Sequence, residues 1–116
     1  MRMVTTDEPI SVSELGEMAT SMFGGLVKAV VDVQRRVMAV HAEMNADQEQ
    51  ELLEAGSRQA DLWGINLYPE FYGSDDFIEF DSMINIRPVM GNRSRYVEDD
   101  DLRAQIIAIV GVLVAA

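Results

Sequence analysis

Hydrophobic and polar positions alternate most cleanly between Leu62 and Tyr68, where Trp63, Ile65 and Leu67 are separated by Gly64, Asn66 and Tyr68. A period of two puts each set on its own face of a pleated strand, so this stretch predicts a strand with one buried face. After a turn region from Pro69 to Asp76, Ile78, Phe80, Ile84 and Ile86 point one way and Glu79, Asp81, Asn85 and Arg87 the other, which predicts a second strand. If Tyr68 pairs with Phe77, Leu67 faces Ile78, Ile65 faces Phe80 and Trp63 faces Ser82, while Asn66 meets Glu79 and Gly64 meets Asp81 on the polar face. A one-residue slip would set apolar side chains against charges, so this register is strongly specified.

Residues 27–44 carry two competing periods. Leu26, Val30, Val33, Val37, Val40 and Met44 suit a long helix, but the valines crowded between positions 27 and 40 favour pleated sheet. The preferred reading is a hairpin of strands 27–33 and 36–43 turning at Gln34-Arg35, with Val31 facing Met38, Ala29 facing Val40 and Val27 facing Ala42. The other face then carries Lys28 opposite His41. Ahead of it, Ser11 and Glu14 have capping-box spacing, Ile10 can pack on Leu15, and Leu15, Met18, Ala19 and Met22 form one helical face ended by Gly24-Gly25. Asn45 or Asp47 can cap a short polar helix ended by Gly56. The last helix opens at Glu98-Asp99-Asp100-Asp101, acids that suit the positive end of a helix dipole. Its stripe Leu102, Ile106, Ile109 and Leu113 lies beside a second one, Ile107, Val110 and Val114, so it needs cover on more than one side.

These elements predict an α+β fold: an antiparallel sheet of about four strands, made of two hairpins, with N-terminal and C-terminal helices packed on it. Residues 1–9 are expected to be a flexible N-terminus and 10–116 a single domain. The second apolar stripe of the last helix suggests a homodimer through it.

Composition narrows the chemistry. The 116 residues carry 20 Asp plus Glu against 9 Lys plus Arg, a formal net charge of −11, and no cysteine. That balance argues against nucleic acid and anionic membranes as partners, since both need clustered positive charge. Without cysteine there is no thiolate, zinc ribbon or iron–sulfur chemistry, and the lone His41 cannot make a multi-histidine metal site, so neither cofactor nor metal is expected. The N-terminus lacks a signal-like apolar core and the apolar run from Ile106 to Ala116 is too short to span a bilayer, so a cytoplasmic location is expected.

The segments Leu62-Trp63-Gly64-Ile65-Asn66-Leu67-Tyr68-Pro69, Phe77 to Pro88, Gly91-Asn92-Arg93-Ser94-Arg95 and Val97-Glu98-Asp99 resemble an uncharacterised prokaryotic family, domain of unknown function 5674. The resemblance extends back through Met22-Phe23-Gly24 and Val27 to Val33. It implies no activity. Members of that family tend to have a histidine where Asn45 stands and a glycine where Arg36 stands; the latter suits a hairpin turn.

Three constellations could carry chemistry. Arg87, Asn92, Arg93, Ser94 and Arg95 form a local basic exception in an acidic chain, where guanidinium forks and backbone N–H groups can hold an anionic small molecule or an acidic peptide, with Asn66 and Asn85 near by. The competing reading is ion pairing with Glu98, Asp99, Asp100 or the acidic strand face. Glu79 and Asp81, with Asn66, Asn85 and Arg87 and across the sheet Lys28, Asp32, His41 and Glu43, could instead supply an enzyme's general acid and base, against the ordinary alternative of a solvated sheet face. The run Glu98 to Asp101 lacks the alternation and turn glycine of a calcium loop. The preferred function is a binding module, with the enzyme as the alternative.

Overall fold

The alternating strand of Trp63, Ile65 and Leu67 lies inside the main sheet, with helices on both sides. The computed structural model describes residues 1–21 and 25–116. In chain order the elements are β1 Arg2–Val4, β2 Ile10–Ser11, α1 Val12–Ser21, β3 Val27–Asp32, β4 Val37–Val40, α2 Asn45–Glu54, β5 Leu62–Leu67, β6 Ile78–Glu79, α3 Asp100–Leu113 and β7 Val114–Ala115. The main sheet is antiparallel in the order β1-β4-β3-β5-β6, and β2 pairs with β7 in a small parallel sheet. The class is α+β, with five strands rather than four in the main sheet.

Residues 1–9, expected to be a flexible lead, contribute β1, which pairs with β4 and buries Val4 completely. α1 has the expected capping box: the Glu14 N–H donates to Ser11 Oγ and the Ser11 N–H to Glu14 Oε2, both at 3.0 Å. Leu15 and Ala19 are buried and Met18 packs beside them; Met22 and Gly24 lie outside the described residues.

The β3–β4 hairpin forms in the expected register, Ala29 with Val40 and Val31 with Met38. Its turn is wider than Gln34-Arg35, because Asp32 pairs with Val37 and leaves four residues in the loop. Asp32 shapes that loop: its Oδ1 accepts the N–H groups of Gln34 and Arg35, each at 2.9 Å, and its carbonyl accepts the Arg36 N–H. Arg36 closes the turn at φ +60°, the position where the family's glycine would fit without strain. The ladder ends at Val40 and His41 turns off at φ +66°, so Lys28 has no His41 opposite it.

Strand alternation divides the sheet's side chains between two cores. Ala29, Val31, Met38, Val40, Trp63, Ile65 and Leu67 meet Leu15 of α1 and Ile106, Ile109 and Leu113 of α3. Val30, Ala39 and Leu62 meet Leu52 of α2 on the opposite face. That face, expected to be solvated, is therefore largely covered, and Asp32 and Asn66 are buried in it. α3 shields its first stripe, while Ile107 and Val112 remain exposed. Among the described residues no helix is long and apolar enough to cross a membrane.

Candidate functional site

The second predicted strand begins in register, with Leu67 against Ile78, Asn66 against Glu79, and the Tyr68 N–H donating to the Phe77 carbonyl at 2.9 Å. It then stops. A Cβ on Gly64 would lie 2.5 Å from Ser82 Cβ and Oγ, so the chain crosses Gly64 too closely for any side chain there. Ser82 caps a 3-10 turn over Met83–Asn85, and the direction of the backbone changes. Ile78 and Phe80 accordingly pack on the larger core but Ile84 on the smaller one, and Ile86 is exposed, so the expected shared face breaks at Ser82.

Asn85, a candidate ligand residue, takes the place of the missing strand. Its Oδ1 accepts the Gly64 N–H at 2.8 Å, and its Nδ2 donates to the carbonyls of Gly64 at 2.9 Å and Arg95 at 3.0 Å. The side-chain amide thus satisfies a buried backbone as a neighbouring peptide would. Asn92 does the same for the next loop, donating to the carbonyls of Asn85, Ser94 and Tyr96 and accepting the Glu98 N–H. Both side chains are buried and committed to the fold. Asn45, rather than capping α2, donates to the Ala29 carbonyl and to Gln48 and accepts from Ser82 Oγ; the cap position is Met44.

The three arginines do not converge. Arg87 lies over the Trp63 ring, 4.8 Å from its centroid, and donates to the Leu62 carbonyl and to Glu49 of α2. Burial pulls its guanidinium below the ordinary arginine range, against the raising influence of Glu49. In the loop of Arg93 and Ser94, both backbone N–H groups and the Ser94 hydroxyl donate to one oxygen of Glu98, at 2.9, 2.9 and 2.7 Å. The expected anion receptor is present and is filled by the chain's own carboxylate. Those hydrogen bonds, the Ser94 hydroxyl's first, hold the Glu98 carboxyl below its ordinary range. Arg95 pairs with Asp81 at 2.6 Å.

The structure instead brings part of the strand's polar face to an open cleft of about 860 Å³ between β6 and residues 94–96. Glu79 and Asp81 both line it with Arg95. Glu79 Oε1 accepts from Asn66 Nδ2 at 2.8 Å and from the Tyr68 hydroxyl at 3.0 Å. Burial pushes the Tyr68 hydroxyl above its ordinary range, helped by its bond to Glu79. Asp75 and Asp76 add two more carboxylates, and Tyr68, Phe71, Phe80 and Tyr96 present aromatic rings. Lys28 and Glu43 fall in a separate, smaller cleft beside Asn45 and Met83. Among the described residues no group of three or more His, Asp or Glu side chains is placed to hold a metal ion.

A family model described as Protein of unknown function (DUF5674) matches residues 4–113. The chain belongs to the DUF5674 family. No curated protein and no solved structure matches it. The cleft of this DUF5674 protein includes Phe71, Asp75 and Asp76, which the sequence placed in a turn, Tyr96, which it left aside, and Tyr68, which it read only as a strand residue. One signal was available: six of the eight aromatic residues, Trp63, Tyr68, Phe71, Tyr72, Phe77 and Phe80, fall within eighteen positions. That is more than one strand face can bury, so some had to line a surface.

Proposed function

We propose that this protein is a binding module whose cleft beside β6 takes a cationic group. The observation that carries the reading is the cleft's charge. Asp75, Asp76, Glu79 and Asp81 line the cleft with one guanidinium, Arg95, which Asp81 already neutralises. Carboxylates attract an ammonium or guanidinium, and the faces of Tyr68 and Phe71 favour a cation by about 0.5–1 kcal/mol each where exposed, whereas Tyr96 already carries the Arg103 guanidinium over its ring and packs edge-to-face with Phe80. The net charge of −11 would draw such a ligand in from a distance.

An anion at Arg87, Arg93 and Arg95 is less well supported, because the three do not form one site: Arg87 is drawn to the Leu62 carbonyl and Glu49, the Arg93 backbone N–H to Glu98, and the Arg95 guanidinium to Asp81. General-base chemistry at Glu79 or Asp81 is disfavoured by an open cleft that admits water, where catalysis draws its strength from excluding it.

Calorimetric titration tests the reading. Spermidine and short lysine-rich peptides should bind at low salt, more weakly as salt rises. Glu79→Gln, or Asp75→Asn with Asp76→Asn, should weaken binding several-fold more than Glu51→Gln with Glu54→Gln on the exposed side of α2. Equal losses in both sets would mean diffuse attraction to an acidic surface. Binding of citrate or phosphate that disappears in Arg95→Ala would reverse the sign of the site.

A further inference from the structure

The cleft's floor is a sheet edge with unused hydrogen-bonding groups. In an antiparallel ladder, alternate residues direct both their N–H and C=O toward one neighbour. Here Phe77 and Glu79 face β5, since the Tyr68 N–H reaches the Phe77 carbonyl and Asn66 pairs with Glu79. The N–H and C=O of Ile78 and Phe80 therefore point away from β5, toward the cleft that both residues line. β6 is the outermost strand of the main sheet, and among the described residues no loop or turn hydrogen bond reaches these groups. The next outward residue, Ser82, does have one: its N–H donates to the Arg95 carbonyl at 3.1 Å. Residues 94–96 thus begin to lie along this edge as a further strand would, then diverge and leave a gap beside Ile78 and Phe80. An unpaired edge between two walls is a template for an incoming strand.

We infer that the cleft takes an extended basic peptide as a sixth strand of the sheet, paired to the outward backbone groups of Ile78 and Phe80. The inference rests on the proposed cation-binding reading and adds how the ligand is held. The backbone supplies affinity, and charge selects the occupant: Asp75, Asp76 and Glu79 line the same gap, so lysine or arginine side chains of the added strand would find carboxylates, while an acidic peptide would be repelled.

Two measurements on the full chain decide it, using a heptapeptide of alternating lysine and valine and two versions of it, N-methylated at either set of alternate residues. In amide hydrogen exchange, the unmodified peptide should slow the Ile78 and Phe80 amides at least tenfold. One N-methylated version should bind at least tenfold more weakly and the other nearly normally, since only one set of peptide N–H groups can face β6. If the peptide binds in a Glu79-dependent way but protects neither amide, or both N-methylated versions bind alike, the strand is wrong and cation recognition stands. If spermidine binds at the cleft and the peptide does not, the strand is equally wrong. If neither binds there, both readings fall.

Discussion

Asn85→Asp is a near-isosteric change that separates a backbone-mimicking amide from a ligand-binding one. Asn85 is fully buried, and its Nδ2 donates to the carbonyls of Gly64 and Arg95 while its Oδ1 accepts the Gly64 N–H. The substitution keeps the acceptor and sets an oxygen against two buried carbonyl oxygens. Leaving a buried acceptor unsatisfied costs about 1–3 kcal/mol, so two such losses should lower the unfolding free energy by about 2–6 kcal/mol near pH 8. That is a large part of the roughly 5–15 kcal/mol that holds a domain together. The carboxyl group should also resist ionising in the fold, which gives the loss a pH dependence. Its folded pKa would rise above the unfolded value of about 3.9, so the penalty is full above the raised pKa and shrinks as pH falls below it toward 3.9, because the folded group is then protonated and can again donate to a carbonyl. Urea unfolding of both proteins at several pH values between 8 and 4 gives the difference directly, and titrations common to both cancel. A gap below 1 kcal/mol, or one that does not narrow with falling pH, would refute the assignment of Asn85 as a structural amide.

Other consequences follow from single contacts. Gly64→Ala forces a methyl group against the Cβ of buried Ser82 and disturbs its 2.7 Å bond to Asn45, so chemical denaturation should show a loss of about 1–3 kcal/mol. Arg36→Gly relieves a left-handed residue worth about 1–2 kcal/mol of strain at an unfolded-state cost of about 0.4–1 kcal/mol; a modest rise in melting temperature is expected, and a fall would contradict the turn geometry. Glu98 has a depressed folded pKa, so its contribution is present above the ordinary carboxyl range and lost as pH falls through the lower folded value. Acid unfolding between pH 5 and 3 should therefore be less steep in Glu98→Gln than in the natural chain.

Local periodicity made much of the fold legible in advance. The alternation of Trp63, Ile65 and Leu67 fixed a face, the run of valines with Met38 set the register of the first hairpin, and Ser11 with Glu14 marked the start of α1. What escaped notice depended on contacts between residues distant in sequence. The strand of 77–87 is alternating throughout, yet its ladder ends at Glu79 and the chain turns at Ser82, because Gly64 lets the chain approach closely and Asn85 folds back to satisfy it. β1 has few residues to show a period and exists because β4 offers an edge. At the site, sequence brought out the arginines because they were unusual in an acidic chain and named Glu98 and the acidic strand face as competing partners; the fold supplies both, Glu98 to the backbone of Arg93 and Asp81 to Arg95, and adds Trp63 and Glu49 for Arg87, which only folding could reveal. Glu79, Asp81 and Asn66 were legible as one polar face; Glu79 and Asp81 line the cleft, and buried Asn66 donates to the Glu79 carboxylate and the Asp81 carbonyl. The aromatic wall was not, since Tyr96 reaches Phe80 from sixteen positions away.

Cation recognition at the β6 cleft is tested most directly by following the protein's backbone amides by NMR during separate titrations with spermidine and with phosphate. Saturable shifts with spermidine are expected at Ile78, Glu79, Phe80 and Tyr96, largely removed by Glu79→Gln, with no comparable response to phosphate. Saturable shifts at Arg93, Ser94 and Arg95 with phosphate, and none at the cleft with spermidine, would contradict it.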